Sequence, residues 1–223
     1  MTIFIVNPNS SQTVTDGIDR AIHPMRAFCP VAIECRTLLE GPPGIETQAH
    51  IDGVVAPLLA HCGALEDRAS AFVIACFSDP GLAALREQSA RPVLGIGESA
   101  VLTALTLGPR FGILSILSGS IPRHMRYLDA MGVRCRLAGD RALELGVAEL
   151  TEKRRTFDRL REVGTTLRDQ DGADVLILGC AGMAGYRADL EVALGRPVID
   201  PCQAANAMAI GQVALAATRE TTT

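Results

Sequence analysis

The chain has 223 residues, of which 48% are apolar and 21% charged. That composition excludes a disordered chain and suits one large or two small globular domains. The formal net charge is −4, aromatics are 4% and Trp is absent, so neither nucleic acid nor an anionic membrane is an expected partner.

Residues 2–6 form a short β-rich run. It lacks the basic flank of a signal peptide and ends in the turn and cap formers Asn7-Pro8-Asn9-Ser10-Ser11. A helix is predicted over 11–22, a strand over 31–37 and one long helix over 47–63. Residues 71–76 are an unbroken apolar run, as in a strand buried on both faces. This run stops at Phe77-Ser78-Asp79-Pro80-Gly81. A helix over 82–88, a strand over 92–96 and a helix over 99–107 follow. No apolar stretch, including 93–107 and 204–217, is long and unbroken enough to cross a membrane.

The pattern then restarts. A strand is predicted over 110–116, a helix opening at Ser120 with Pro122 in its first turn, a strand over 133–137, and helix over 143–168, divisible at Gly146. A buried strand over 174–179 ends at Cys180-Ala181-Gly182-Met183. A strand over 197–200, a helix over 203–217 and a frayed tail over 218–223 complete the chain. The alternation implies an α/β fold with mainly parallel sheets flanked by helices.

The second half echoes the first. Cys76 recurs as Cys180, and Arg91-Pro92-Val93 as Arg196-Pro197-Val198, at offsets of 104 and 105. Two pseudo-symmetric lobes are therefore expected, with the active site between them. The first covers 1–100, with the C-terminal helix 203–217 exchanged onto it, and the second covers 101–202.

Seven cysteines occur without a CxxC pair or zinc spacing. Buried thiols in a cytoplasmic protein are the simplest reading for most of them. Cys76 and Cys180 differ, because both end strands where open α/β sheets bind ligands. Facing each other across a cleft, they suit inversion of a carbon stereocentre. One thiolate removes a proton and the opposed thiol returns one. Backbone N–H groups of Phe77-Ser78 and Ala181-Gly182-Met183, at helix-initiating loops, are expected to stabilise the carbanion and lower the thiol pKa from about 8.5 towards neutrality. Gly182 permits close backbone approach, and Ser78 and Ser115 add hydroxyls. The histidines His23, His50, His61 and His124 read as surface or helix-face residues, although His124 follows Pro122 at a helix start. Gly95-Ile96-Gly97 lacks the third glycine of a dinucleotide fingerprint. No metal site is expected.

Taken together, the stretches 73–82 and 178–183, each centred on a cysteine, and Asn7-Pro8-Asn9-Ser10 resemble the Asp/Glu/hydantoin racemase superfamily. They look most like its hydantoin racemase branch, which includes allantoin racemases. The resemblance implies a cofactor-independent racemase with Cys76 and Cys180 as its two bases. It also implies substrate contacts at Phe77, Ser78, Ser115, Ala181, Gly182 and Met183, and a first-strand loop, Asn7, Pro8 and Asn9, bordering the cleft. Many hydantoin racemases carry Asp-Asp after the Phe, where this chain has Ser78-Asp79. A neutral five-membered ring needs only backbone donors and an apolar pocket, for which Phe77, Leu117, Ile121 and Met183 are candidates. A dicarboxylate would want a cation, and Arg123 and Arg187 lie outside the motifs. A 5-monosubstituted hydantoin, including allantoin, is thus the expected substrate, and a homo-oligomer the expected state. An aspartate or glutamate racemase, a maleate isomerase, a malonate-type decarboxylase and a non-catalytic ligand-binding module are the alternatives.

Overall fold

The computed structural model describes residues 1–220, with side chains through 218. Its first half contains β1 (Thr2–Asn7), α1 (Gln12–Ile22), β2 (Ala32–Thr37), α2 (Gln48–Gly53), α3 (Val55–Gly63), β3 (Ala69–Ile74), α4 (Leu82–Gln88), β4 (Val93–Gly95) and α5 (Ile96–Leu107). Its second half contains β5 (Phe111–Ser115), α6 (Ile121–Ala130), β6 (Leu137–Ala142), α7 (Lys153–Asp169), β7 (Val175–Leu178), α8 (Arg187–Leu194), β8 (Val198–Ile199) and α9 (Pro201–Glu220).

Two all-parallel four-stranded sheets result, ordered β2-β1-β3-β4 and β6-β5-β7-β8. The repeat in the sequence is therefore a repeat of topology. Central strands β1, β5 and β7 are buried at every position, and this is why they read as continuous apolar runs. Edge strands β2 and β6 are mostly half-exposed and carry Glu34, Arg36, Asp140 and Arg141. Each fully buried Ile or Phe of the central strands contributes about 1.5–3 kcal/mol of transfer free energy.

The helix after each fourth strand packs on the opposite sheet. α5 lies on β5, β7 and β8, α9 lies on β1, β3 and β4, and the two helices pack together. Alanines permit the close approach. Ala100 and Ala104 share a core with Phe111, Ile113, Val175 and Ile177. Ala205 and Ala209 share one with Ile3, Ile5, Ala71 and Val73.

Several predicted elements differ. The helix over 47–63 is two helices, joined at Val54. Pro57 lacks the N–H that the Gly53 carbonyl would need, so the helix breaks there. The strand over 133–137 is a 3₁₀ turn at Arg134–Arg136 followed by β6, whose edge polarity hides it from an apolar pattern. Residues 143–145 are not helical. They extend along β5, with Leu143 N–H on Ser115 O at 2.8 Å and Leu145 N–H on Ile116 O at 3.0 Å. A 3₁₀ turn, Val147–Thr151, then precedes α7. The last helix starts at Pro201 and continues through Glu220. Of the tail expected to fray, residues 221–223 lie outside the described residues. Among the described residues, no helix is long and apolar enough to cross a membrane.

Candidate active site

The turns after β3 and β7 bring Cys76 and Cys180 to one cavity between the halves. The backbone treats the two sulfurs alike. The Ser78 N–H lies towards the Cys76 sulfur and favours its thiolate, and the Gly182 N–H bonds the Cys180 sulfur at 3.3 Å. In each turn the residue three after the cysteine donates its N–H to the cysteine carbonyl, Asp79 at 2.9 Å and Met183 at 3.1 Å. These N–H groups are thus committed to the sulfurs and turns rather than left free for a substrate oxygen.

Burial pushes the Cys76 thiol up to about 12 and the Cys180 thiol up to about 11. The N–H groups of Ser78 and Gly182, and the positive charge of Arg123 near Cys76, oppose that rise without cancelling it. The expectation of a pKa near neutrality is therefore corrected. Desolvation outweighs one N–H bond and a short helical turn.

Of the expected contacts, Asn9, Phe77, Ser78, Ala181 and Gly182 line the cavity with the cysteines. Asn7 and Pro8 lie behind it. Asn7 is fully buried, and its Nδ2 donates to Asn9 Oδ1 at 2.9 Å and to Thr15 Oγ1 at 3.1 Å. Pro8 packs under Gly41, where a Cβ would meet the Pro8 carbonyl oxygen at 2.2 Å. Leu117 and Met183 are not on the cavity. Both pack into the central core, because the 3₁₀ turn carrying Met183 directs its side chain inward. Ile121 is also absent from the lining. Ile45, Ile116 and Val147 supply the apolar wall instead. The cavity is small, about 30 Å³, which is room for one or two waters. It shares Val147, Ala181 and Gly182 with a neighbouring groove of about 660 Å³.

The reading of the histidines is corrected at His124. It is 5% exposed and lines the cavity. Its ring meets Phe77 edge-on, 5.1 Å between centroids. Its Nδ1 lies 2.8 Å from Asp140 Oδ2 and 3.2 Å from Ser115 Oγ. Ser115, expected to touch substrate, is fully buried one layer behind and donates to Asp140 Oδ1 at 2.5 Å. The available sequence signal was His124 at a helix start. Asp140 gave none, being one polar residue on an edge strand.

Arg123 also lines the cavity, while Arg187 does not. The Arg123 guanidinium is largely spent on protein. It donates to Gly119 O at 2.7 Å, Glu46 O at 2.8 Å and Ser120 Oγ at 3.1 Å. Glu46 Oε1 in turn accepts the Val147 N–H at 2.8 Å, so a loop from each half meets over the cavity. Among the described residues, no group of three or more His, Cys, Asp or Glu could hold a metal ion.

A family model described as Asp/Glu/Hydantoin racemase matches residues 3–209. The hydantoin racemase of Paenarthrobacter aurescens is 35% identical over 228 residues, spanning 96% of this chain and 92% of its own. The hydantoin racemase of Pseudomonas sp. (strain NS671) is 34% identical over 205 residues, spanning 90% and 81%. Among solved structures, allantoin racemase from Klebsiella pneumoniae superposes with a TM-score of 0.92 at 30% identity, covering 97% of this chain and 89% of that one.

Proposed function

The chain belongs to the Asp/Glu/hydantoin racemase family and is an isomerase, and from that premise we propose that it racemises 5-monosubstituted hydantoins, allantoin among them, by proton transfer between Cys76 and Cys180. The observation that carries this reading is the pair of strand-end cysteines lining one cavity from opposite halves. The ring sits with C5 between the sulfurs. One sulfur, as thiolate, takes the C5 hydrogen, and the opposed thiol delivers its proton to the other face. The carbanion spreads onto the adjacent ring carbonyl. Phe77 and Ala181 are the first residues after the cysteines, and their N–H groups are the donors assigned to that oxygen. Ile45, Ile116, Val147 and Phe77 exclude water. The cavity is smaller than the ring, so the loops that meet at the Glu46–Val147 contact move apart to admit substrate.

The test is loss of optical rotation of a single-enantiomer hydantoin in D₂O, with deuterium uptake at C5. Full activity in both Cys76→Ala and Cys180→Ala overturns the assignment. Arg123 on the cavity favours a second reading, an amino-acid racemase holding a carboxylate. A panel of aspartate, glutamate and maleate decides between them, and turnover confined to that panel replaces the hydantoin reading.

A further inference from the structure

The two sulfurs pose a problem that the cavity itself addresses. Burial holds both thiols neutral, yet proton abstraction needs a thiolate. Glu46 and Asp79 lie close, but neither is on the cavity lining. Glu46 Oε1 holds the Val147 N–H, and both oxygens of Asp79 are occupied by Gly97, Glu98 and Tyr127. His124 is different. A carboxylate only accepts, so the Asp140 contact places the hydrogen of the ring on Nδ1 and the lone pair of the neutral ring on Nε2. Nε2 has no hydrogen-bond partner among the described residues, and the ring lines the cavity beside both cysteines. Ring orientation is set from three sides, by Asp140, Ser115 and Phe77. The Asp140 side chain is 1% exposed and that of His124 6%, so a proton arriving on the ring is compensated at once by a buried carboxylate.

We propose that His124, oriented by Asp140 and Ser115, is the proton relay that converts a cavity thiol into the thiolate base. The Sγ–H bond breaks and an Nε2–H bond forms, the proton crossing by way of one water in the cavity, which gives up one proton as it takes the other, leaving a thiolate and an imidazolium. The thiolate then takes the C5 hydrogen while the opposed thiol gives up its own. The thiol–thiolate pair emerges with roles reversed, and the imidazolium balances the charge throughout. His124 acts through the sulfurs, and Asp140 is a positioning residue that fixes the tautomer. The inference rests on the two-cysteine reading above, but part of its test needs no substrate.

The experiment follows iodoacetamide labelling of Cys76 and Cys180 peptide by peptide at constant pH, with exposed Cys135 as internal reference. It is run on the wild type, His124→Ala and Asp140→Asn. Asp140→Asn keeps the shape and a hydrogen bond, but its amide donates to Nδ1 and moves the ring hydrogen to Nε2, where it blocks proton uptake. Both variants are expected to label at least one cavity cysteine about tenfold or more slowly, with kcat falling about 10²-fold and KM within about threefold. Added imidazole is expected to restore labelling in His124→Ala. Wild-type labelling in Asp140→Asn overturns the relay even if His124→Ala is slow, because a packing role survives that exchange. If His124→Ala fails to fold, Asp140→Asn alone decides. If the wild type turns over no hydantoin, the parent reading fails, while the labelling comparison still judges the relay.

Discussion

The Cys76 turn and the Cys180 turn stand at matching places in two sheets of the same strand order, yet they are braced by carboxylates from different points in the chain. In the first half Asp79, three residues after Cys76, accepts the N–H of Gly97 at 2.9 Å and of Glu98 at 2.7 Å. It thereby caps α5. In the second half the capping carboxylate is Asp200, which accepts the N–H of Cys202 at 2.8 Å and of Gln203 at 3.2 Å. At the 105-residue offset of the Arg-Pro-Val repeat, Gly97 and Glu98 are the counterparts of Cys202 and Gln203, and Gly95 is the counterpart of Asp200. A Cβ on Gly95 would sit 2.2 Å from the Asp79 carboxyl carbon. The two halves therefore fill one position with the same chemical group, reached once from the cysteine turn and once from the helix itself.

What the exchange changes is coupling. Asp79 joins the Cys76 turn to α5 and, through the Tyr127 hydroxyl at 2.7 Å, to α6. It adopts a positive φ of 44° to do so, an uncommon conformation for a residue other than glycine. Asp200 caps α9 through Oδ1, and the backbone N–H of Gly185, just after the Cys180 turn, and the charge of Arg187 also favour its carboxylate. A helix N-terminus needs an acceptor, whichever residue supplies it. Only in the first half does that acceptor stand within the cysteine turn itself, three residues after Cys76.

The largest effects concern the cysteines themselves. Cys76→Ala and Cys180→Ala are each expected to lower racemisation by about 10²–10⁴-fold. C5 deuterium exchange is expected to survive for opposite enantiomers in the two variants. Exchange of the same enantiomer in both would break the symmetric reading of the sulfurs. Next is the pH–rate profile. Because burial lifts the thiols to about 12 and about 11, His124→Ala, in which solvent alone must take the thiol proton, should show kcat/KM still rising above pH 9. A plateau near the unperturbed value of about 8.5 would contradict the buried-thiol electrostatics.

Transplanting the carboxylate sharpens the comparison of the braces. Asp79→Gly should cost about 2–3 kcal/mol in urea unfolding, for a lost double cap and a buried hydrogen bond. Asp79→Gly combined with Gly95→Asp, which copies the second half, should recover about half of that. No recovery would show that the two carboxylates are not equivalent. Burial also raises the Asp79 carboxyl to about 7, against the opposing bonds from Glu98, Gly97 and Tyr127. The folded state then holds a proton that the unfolded chain has released above about 4. This contribution to stability falls as pH rises from about 4 to about 7, and Asp79→Asn should flatten the fall relative to wild type. The smallest effect is expected at Asp200. Asp200→Asn retains Oδ1 as cap, so kcat should stay within about twofold of wild type. A larger loss would mean that the second brace also positions its cysteine.

Much of this molecule was legible along the chain. The apolar runs at 71–76 and 174–179, the cap formers after β1 and the recurring Arg-Pro-Val announced two similar lobes with mainly parallel sheets. Asn9, Phe77, Ser78, Ala181 and Gly182 were readable as cavity residues because they adjoin strand ends. The break at Val54 has its cause in Pro57, but apolar spacing continues across it and hides it from periodicity. His124 and Asp140 were not readable as a pair. They lie 16 residues apart on α6 and β6, and a carboxylate on an edge strand reads as a solvated group.

Apolar period, caps and turn residues act between near neighbours, so the alternation of strands and helices and the two cysteine turns follow from local pattern, while strand order does not. Which side chains turn into the cavity, and which way each ionisable group shifts, depend on elements remote in the chain. Met183 and Leu117 face the core, Arg123 is spent on carbonyls, and both thiols are lifted rather than lowered. Desolvation is a sum over everything packed around a group, and only the assembled halves determine that sum.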